Sequence, residues 1–144
     1  MLITGGTSGI GLELAKKFRQ RNNTVILTGR DARKLDAVRQ TLPGVHTFKS
    51  DVSDPVAIAK LYNDVVSEFP ALDILINSAG IMRQVNLHQA RFDLQSLTRE
   101  IDINLNGPIW MAAQFLPHLK AQKSTAWHLS FLRGRPCRPS IPLQ

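Results

Sequence analysis

Cysteine is all but missing: Cys137 stands alone among 144 residues. It can close no internal disulfide and has no companion ligands, so a disulfide scaffold and a Cys-based metal module are excluded and no metal is expected. A reducing, cytoplasmic setting is the expectation. No apolar run approaches the roughly 20 residues a membrane helix needs, so no membrane partner is expected. Met1 leads directly into an apolar strand, so no secretory leader is expected. Aromatic residues make up 6% of the chain, too few and too scattered for a base-stacking platform. Tyrosine is scarcest of all. Tyr62 is the only one, and four residues on stands Val66.

Acidic residues are also short, 11 against 18 basic, for a net charge of +7. Such an excess invites a nucleic-acid reading, but its distribution argues against one. Lys120, Lys123, Arg133, Arg135 and Arg138 lie in a final stretch without any Asp or Glu, and the rest carries 13 basic against 11 acidic residues. The excess belongs to the tail, and no nucleic-acid partner is expected.

What is present begins at once. Leu2-Ile3-Thr4 is a short apolar run that breaks into Gly5-Gly6-Thr7-Ser8-Gly9-Ile10-Gly11, and an amphipathic stretch, Leu12 to Arg21, follows. Strand, glycine turn and helix together aim backbone N–H groups and the positive end of a helix at a phosphate. A phosphate loop of the Lys-Ser/Thr type is excluded, because Leu12 and Glu13 follow Gly11.

The pattern then repeats. Helical spacing of Ile10, Leu14, Ala15 and Phe18 predicts a helix over 9–21. The β-branched run Thr24 to Thr28 predicts a second strand, closed by Gly29-Arg30. Asp31 caps a helix over 32–42, and Val45 to Lys49 alternates as a third strand. Ser53-Asp54-Pro55 starts a helix that reaches Phe69. Leu72 to Ile76 reads as a fourth strand, ended by Asn77-Ser78-Ala79-Gly80. A mixed loop, Ile81 to Arg91, precedes a long helical pattern over 93–122, which Gly107-Pro108 should loosen or kink. Trp127 to Leu132 can form one short strand, and Arg133 onward has no periodicity and is expected to be disordered. This order predicts a doubly wound parallel α/β sheet, a Rossmann fold, truncated after the fourth strand and its long helix. The domain expected is 1–123, with an atypical tail over 124–144. Ligands in such sheets bind beyond the carboxyl ends of the strands, where Gly5–Gly11, Gly29-Arg30, Asp51-Val52 and Asn77–Gly80 should converge.

These landmarks resemble the short-chain dehydrogenase/reductase family over roughly residues 1 to 120. Thr4, Gly5, Gly9 and Gly11 give its T-G-x-x-x-G-x-G turn. Asp51-Val52 is similar to its acidic pair after the third strand, and Asn77-Ser78-Ala79-Gly80 to its N-N-A-G strand end with Ser for the second Asn. Asn104, followed by Gly107, resembles its helix asparagine, and Leu116-Pro117 the leucine-proline that closes that helix. The resemblance implies a Rossmann domain binding NAD or NADP and transferring hydride between a small carbonyl or alcohol substrate and the cofactor. It implies a homodimer through the 93–122 helix.

The same resemblance implies cofactor contacts at Gly5, Thr7, Ser8, Gly9, Ile10, Gly11, Arg30, Asp51, Val52, Asn77, Ala79 and Gly80, and a catalytic asparagine at Asn104. Several keep a second reading. Thr7 and Ser8 either donate to phosphate or cap the helix. Ile10 either meets the nicotinamide side or is core. Arg30 either pairs with a 2′-phosphate, which favours NADP, or is a solvated loop residue beside Asp31. Asp51 either bonds adenine or is an ordinary loop carboxylate. Asn104 either serves a proton relay or bonds backbone across to the fourth strand.

The family's catalytic tyrosine and lysine, four residues apart, have no counterpart here. Trp127-His128-Leu129-Ser130-Phe131 also lacks the family's serine pattern, and no role is carried over to Ser130. The text changes near Thr125 in the manner of a shifted frame or alternative ending. The expectation is an oxidoreductase by descent that does not turn over as this chain; the alternatives are a non-catalytic dinucleotide-binding or dimerising fragment and a non-functional product.

Overall fold

The computed structural model describes residues 1–83, 94–122 and 129–131. Among these residues five parallel strands form one sheet in the order β3-β2-β1-β4-β5. They are β1 (Leu2–Thr4), β2 (Ile26–Gly29), β3 (His46–Lys49), β4 (Leu75–Asn77) and β5 (Leu129–Phe131). The helices are α1 (Gly9–Gln20), α2 (Ala32–Thr41), α3 (Pro55–Glu68), α4 (Leu94–Ile101) and α5 (Gly107–Ala121), the last two joined by a π turn, Asp102–Asn106.

Strand side chains alternate between faces, and the packing follows this rule. Leu2, Ile26 and Leu75 join Ile58, Leu61 and Val65 of α3 and Met111, Phe115 and Leu119 of α5 in one core. Met1, Ile3, Val25, Leu27 and Ile76 join Ala15 of α1 and Val38 of α2 in the other. A strand buried on both faces must be apolar at every position, which is why Leu2-Ile3 shows no polar alternation. The register sets Leu2 beside Ile26 on one flank and Leu75 on the other, so β1 is central and the connection changes direction between β1 and β4.

Caps fix the helix starts. The Asp31 carboxylate accepts from the N–H groups of Arg33 (2.9 Å) and Lys34 (3.3 Å). The Asp54 carboxylate accepts from Val56 N–H at 2.9 Å, with Pro55 in the first turn. Asp54→Ala is expected to cost about 1 kcal/mol, read as a lowered urea midpoint with unchanged slope.

The short strand expected within 127–132 is found as β5, which pairs Leu129, Ser130 and Phe131 with Leu75, Ile76 and Asn77 and adds a fifth strand to the four expected. An open β4 edge leaves N–H and C=O groups that another strand can satisfy. The loosening expected at Gly107-Pro108 is found as a π turn that interrupts the long helical pattern. Pro108 has no N–H for the Asn104 carbonyl, and the backbone widens into the π turn immediately before Gly107. α5 runs through Pro117 to Ala121, one residue short of the expected end at 122. The expected disorder after Arg133 and most of the expected 81–91 loop lie outside the described residues.

Candidate functional site

All strands run the same way, so their carboxyl ends share one edge. Four of the expected loop tips touch in sequence along it. At the β3–β2 end, Arg30 Nη1 stands 3.9 Å from Asp51 Oδ2. The other Asp51 oxygen accepts from Ser53 N–H (2.9 Å) and Ser53 Oγ–H (2.7 Å), holding the loop that precedes α3. Asp31 is occupied with its cap and leaves Arg30 to Asp51. A partly exposed pair at this distance is worth about 1 kcal/mol or less, so the guanidinium can be re-aimed at little cost. Next along the edge, Thr7 packs on Gly29, where an added Cβ would stand 3.0 Å from Thr7 Cγ2.

At the centre, β1 and β4 are bound together by Thr4. Its buried hydroxyl oxygen accepts from the N–H groups of Ser78 and Ala79, both at 3.0 Å. This brings the two backbones so close that a Cβ on Gly5 would stand 2.7 Å from Ala79 Cα, and Gly5 has φ +66°. Gly11 lies against the Gly5 carbonyl, 2.6 Å from where its own Cβ would be. Gly9 is different. It has φ +56°, and an added Cβ would meet nothing within 4 Å. Ser8 takes the N-cap position of α1 but its side chain makes no capping bond, so the helix opens with uncapped N–H groups. Ser8, Gly9 and Ile10 are all exposed.

At the β4 end, Asn104 reaches from the π turn to the loop after β4. Its Oδ1 accepts from Ile81 N–H at 2.9 Å and its Nδ2 donates to the Ile81 carbonyl at 2.7 Å. A Cβ on Gly80 would stand 3.3 Å from Asn104 Oδ1.

A family model described as short chain dehydrogenase matches residues 1–126. The chain belongs to the short-chain dehydrogenase family. An uncharacterized oxidoreductase of Bacillus subtilis (strain 168), DltE, is 39% identical over 126 residues, covering 88% of this chain and 50% of that protein. Dehydrogenase/reductase SDR family member 7B of Bos taurus is 34% identical over 127 residues, covering 81% of this chain and 38% of its own length. Among solved structures, serine dehydrogenase from Escherichia coli superposes with a TM-score of 0.72 at 29% identity, covering 82% of this chain and 55% of that one. The chain thus spans about half the length, or less, of the relatives it matches.

Against this short-chain dehydrogenase frame, Gly5, Thr7, Ser8, Gly9, Gly11, Arg30, Asp51, Ala79 and Gly80 lie along the one edge, and Ile10 opens α1 beside them. Two expected residues do not present their side chains there. Val52 is buried in the α3–α5 core against Gly107. Asn77 is enclosed at 3% exposure, and neither its Oδ1 nor its Nδ2 has a partner among the described residues. Asn77 ends β4, where side chains stand off the strand rather than along its axis; Val52 lies in the turn after β3 and is held by the approach of Gly107.

The sequence reading took Thr4 for its spacing alone; its clamp needed the register of β1 on β4 to be seen. Glu100 and Arg83 were missed altogether. The Arg83 N–H donates to Glu100 Oε1, and Arg83 Nε stands 3.7 Å from that oxygen. No pattern of residue types announces such a pair before the helix and the loop are known to meet.

A dinucleotide fits the residues present. The open, left-handed Gly9 beside an uncapped helix start is the kind of backbone cradle a pyrophosphate needs. Among the described residues no helix is long and apolar enough to cross a membrane.

Proposed function

We propose that this chain is a dinucleotide-binding domain of an NAD(P)(H)-dependent carbonyl or alcohol oxidoreductase, with NADP(H) as the preferred cofactor. The observation that carries the reading is Gly9, held at φ +56° with free space above it. The N–H groups around Ser8, Gly9 and Ile10 would take the pyrophosphate. Arg30, freed from a weak pair with Asp51, would take a 2′-phosphate. Ala79 and Gly80 would line the second ribose. When bound, a nicotinamide dinucleotide supplies or accepts the hydride.

These residues bind and orient; they do not move a proton. An alcohol or carbonyl oxygen needs a proton partner of suitable pKa, and no Tyr-x-x-x-Lys occurs in the 144 residues. Asn104 is engaged at both amide ends with Ile81, which favours the holding role over the relay. The second reading, a non-catalytic dinucleotide-binding or dimerising fragment, rests on that missing pair. The exposed Ile101, Leu105 and Ile109, spaced four residues apart, support a two-fold contact along this helix.

The test is titration with NADPH and NADH, followed by protein and cofactor fluorescence, alongside assay with a panel of small carbonyls. NADPH is expected to bind more tightly than NADH, without turnover above background. Arg30→Ala is expected to weaken NADPH by about tenfold, the worth of one charge-assisted contact, and to leave NADH unchanged. Equal affinities in the parent chain would remove the NADP preference. Cofactor-dependent reduction would remove the non-catalytic reading.

A further inference from the structure

The loop leaving β4 is held by side chains of the following helix in a pattern that imitates strand pairing. Along an extended segment, residues two apart turn their N–H groups to the same side and stand about 6.6 Å apart. Along a helix, residues four apart lie near one face, here where α4 passes into the π turn. Ile81 and Arg83 are two apart; Asn104 and Glu100 are four apart. Asn104 bonds both backbone groups of Ile81. Glu100 accepts the Arg83 N–H and pairs with its guanidinium. The two chains run in opposite senses, 81 to 83 against 104 to 100, as in an antiparallel ladder.

This ladder has a counterpart upstream. Thr4 fixes Ser78 and Ala79 from the β1 side. Ala79 and Gly80 therefore sit between two clamps, one from each side of the switch point. The strand order β3-β2-β1-β4 sets the Ala79–Gly80 end two strand spacings, about 10 Å, from the Arg30 end of β2 and three, about 14 Å, from the Asp51 end of β3. A ligand whose adenosine lies at Arg30 must extend toward the clamped loop.

We infer that Glu100 is a positioning residue for the nicotinamide half of the dinucleotide: by holding Arg83 it fixes the Ala79–Gly80 backbone against which that half lies. The inference rests on the dinucleotide reading above. It assigns Glu100 no contact with the cofactor and no part in binding the adenosine half.

The two halves can be probed separately. Adenosine 2′,5′-bisphosphate reports the adenosine end alone, and NADPH reports both. On the full chain, Glu100→Ala is expected to weaken NADPH by about tenfold, the effect of losing one charge-assisted hydrogen bond. The bisphosphate should change by less than about twofold, within the range of a remote surface substitution. Glu100→Gln keeps an acceptor for the Arg83 N–H and should recover most of the loss. Hydrogen exchange should quicken at the Ile81 and Arg83 amides and stay unchanged in β1 and β2. Equal weakening of both ligands would assign Glu100 to general stability and overturn the inference, as would NADPH binding indifferent to Glu100→Ala. If that variant does not fold, Arg83→Ala takes its place. It keeps the N–H bond and loses the ion pair, so a loss of about threefold confined to NADPH is expected; no loss, or an equal loss of the bisphosphate, overturns the inference. Failure of the parent chain to bind either ligand would sink the dinucleotide reading, and this inference with it.

Discussion

Gly9→Asp is expected to abolish dinucleotide binding and to leave the fold standing. The two effects separate because Gly9 differs from its neighbours in the turn. Its φ of +56° is one that Asp tolerates better than most residues. An added Cβ there meets nothing within 4 Å, so thermal unfolding should shift by only a few degrees, about 1 kcal/mol. A carboxylate at this point would stand where a pyrophosphate is expected. Two unit charges about 4 Å apart repel by about 4 kcal/mol at an effective dielectric near 20. NADPH affinity should therefore fall at least about 100-fold. Gly11→Ala is the contrasting control: its methyl would stand 2.6 Å from the Gly5 carbonyl, so the turn itself should fail. Retained NADPH binding in Gly9→Asp would remove the phosphate cradle from the account. Loss of the thermal transition would mean that Gly9 is needed for folding.

Thr4→Val is expected to destabilise the chain by about 3 kcal/mol, because it removes the acceptor of two partly buried N–H groups at once. Valine keeps the volume and the branched shape, so the change isolates the hydroxyl oxygen. For a domain of this size the midpoint should drop by roughly 10 °C. Thr4→Ser restores the oxygen and should recover most of the stability, less the packing of one methyl group. A Thr4→Val midpoint within two or three degrees of the parent chain would show that Ser78 and Ala79 find other partners, and that β1 and β4 are not joined through this side chain.

The sheet was legible because β1, β2 and β4 are short apolar runs ended by Gly or Asn and β3 alternates. β1 was read as Leu2–Thr4 and is found there. β4 was read as Leu72 to Ile76 and is found at Leu75–Asn77. Hydropathy marks burial, and Leu72 is buried, but pairing is set by the neighbours: Leu75 lies beside Leu2. The turn chemistry of Asp31 and Asp54 was legible because a capping oxygen acts within three residues. The π turn was not, since Pro108 announces a disturbance without stating its form. The approach of Gly107 to the Val52 carbonyl is a contact between distant elements.

The edge itself was readable as a set of loop tips, because parallel strands must end together. What joins the tips was not. Thr4 to Ala79 spans 75 residues and Arg83 to Glu100 spans 17. Those bonds depend on register and on helix phase, and neither is carried by a run of residue types.

The turn after β1 holds two kinds of glycine under different tenure. Gly5 and Gly11 are kept by the protein's own atoms, which already occupy the space of any side chain. Gly9 meets no such atoms; its left-handed backbone favours glycine, and on the proposed reading what arrives from outside adds the rest. A lineage that had stopped meeting a nucleotide would still purge changes at the first two, and would let the third wander, first to asparagine or aspartate. Sequencing this gene across related strains therefore gives a historical readout: drift at Gly9 alone would date the loss of the ligand, and its persistence would mark a chain still in use.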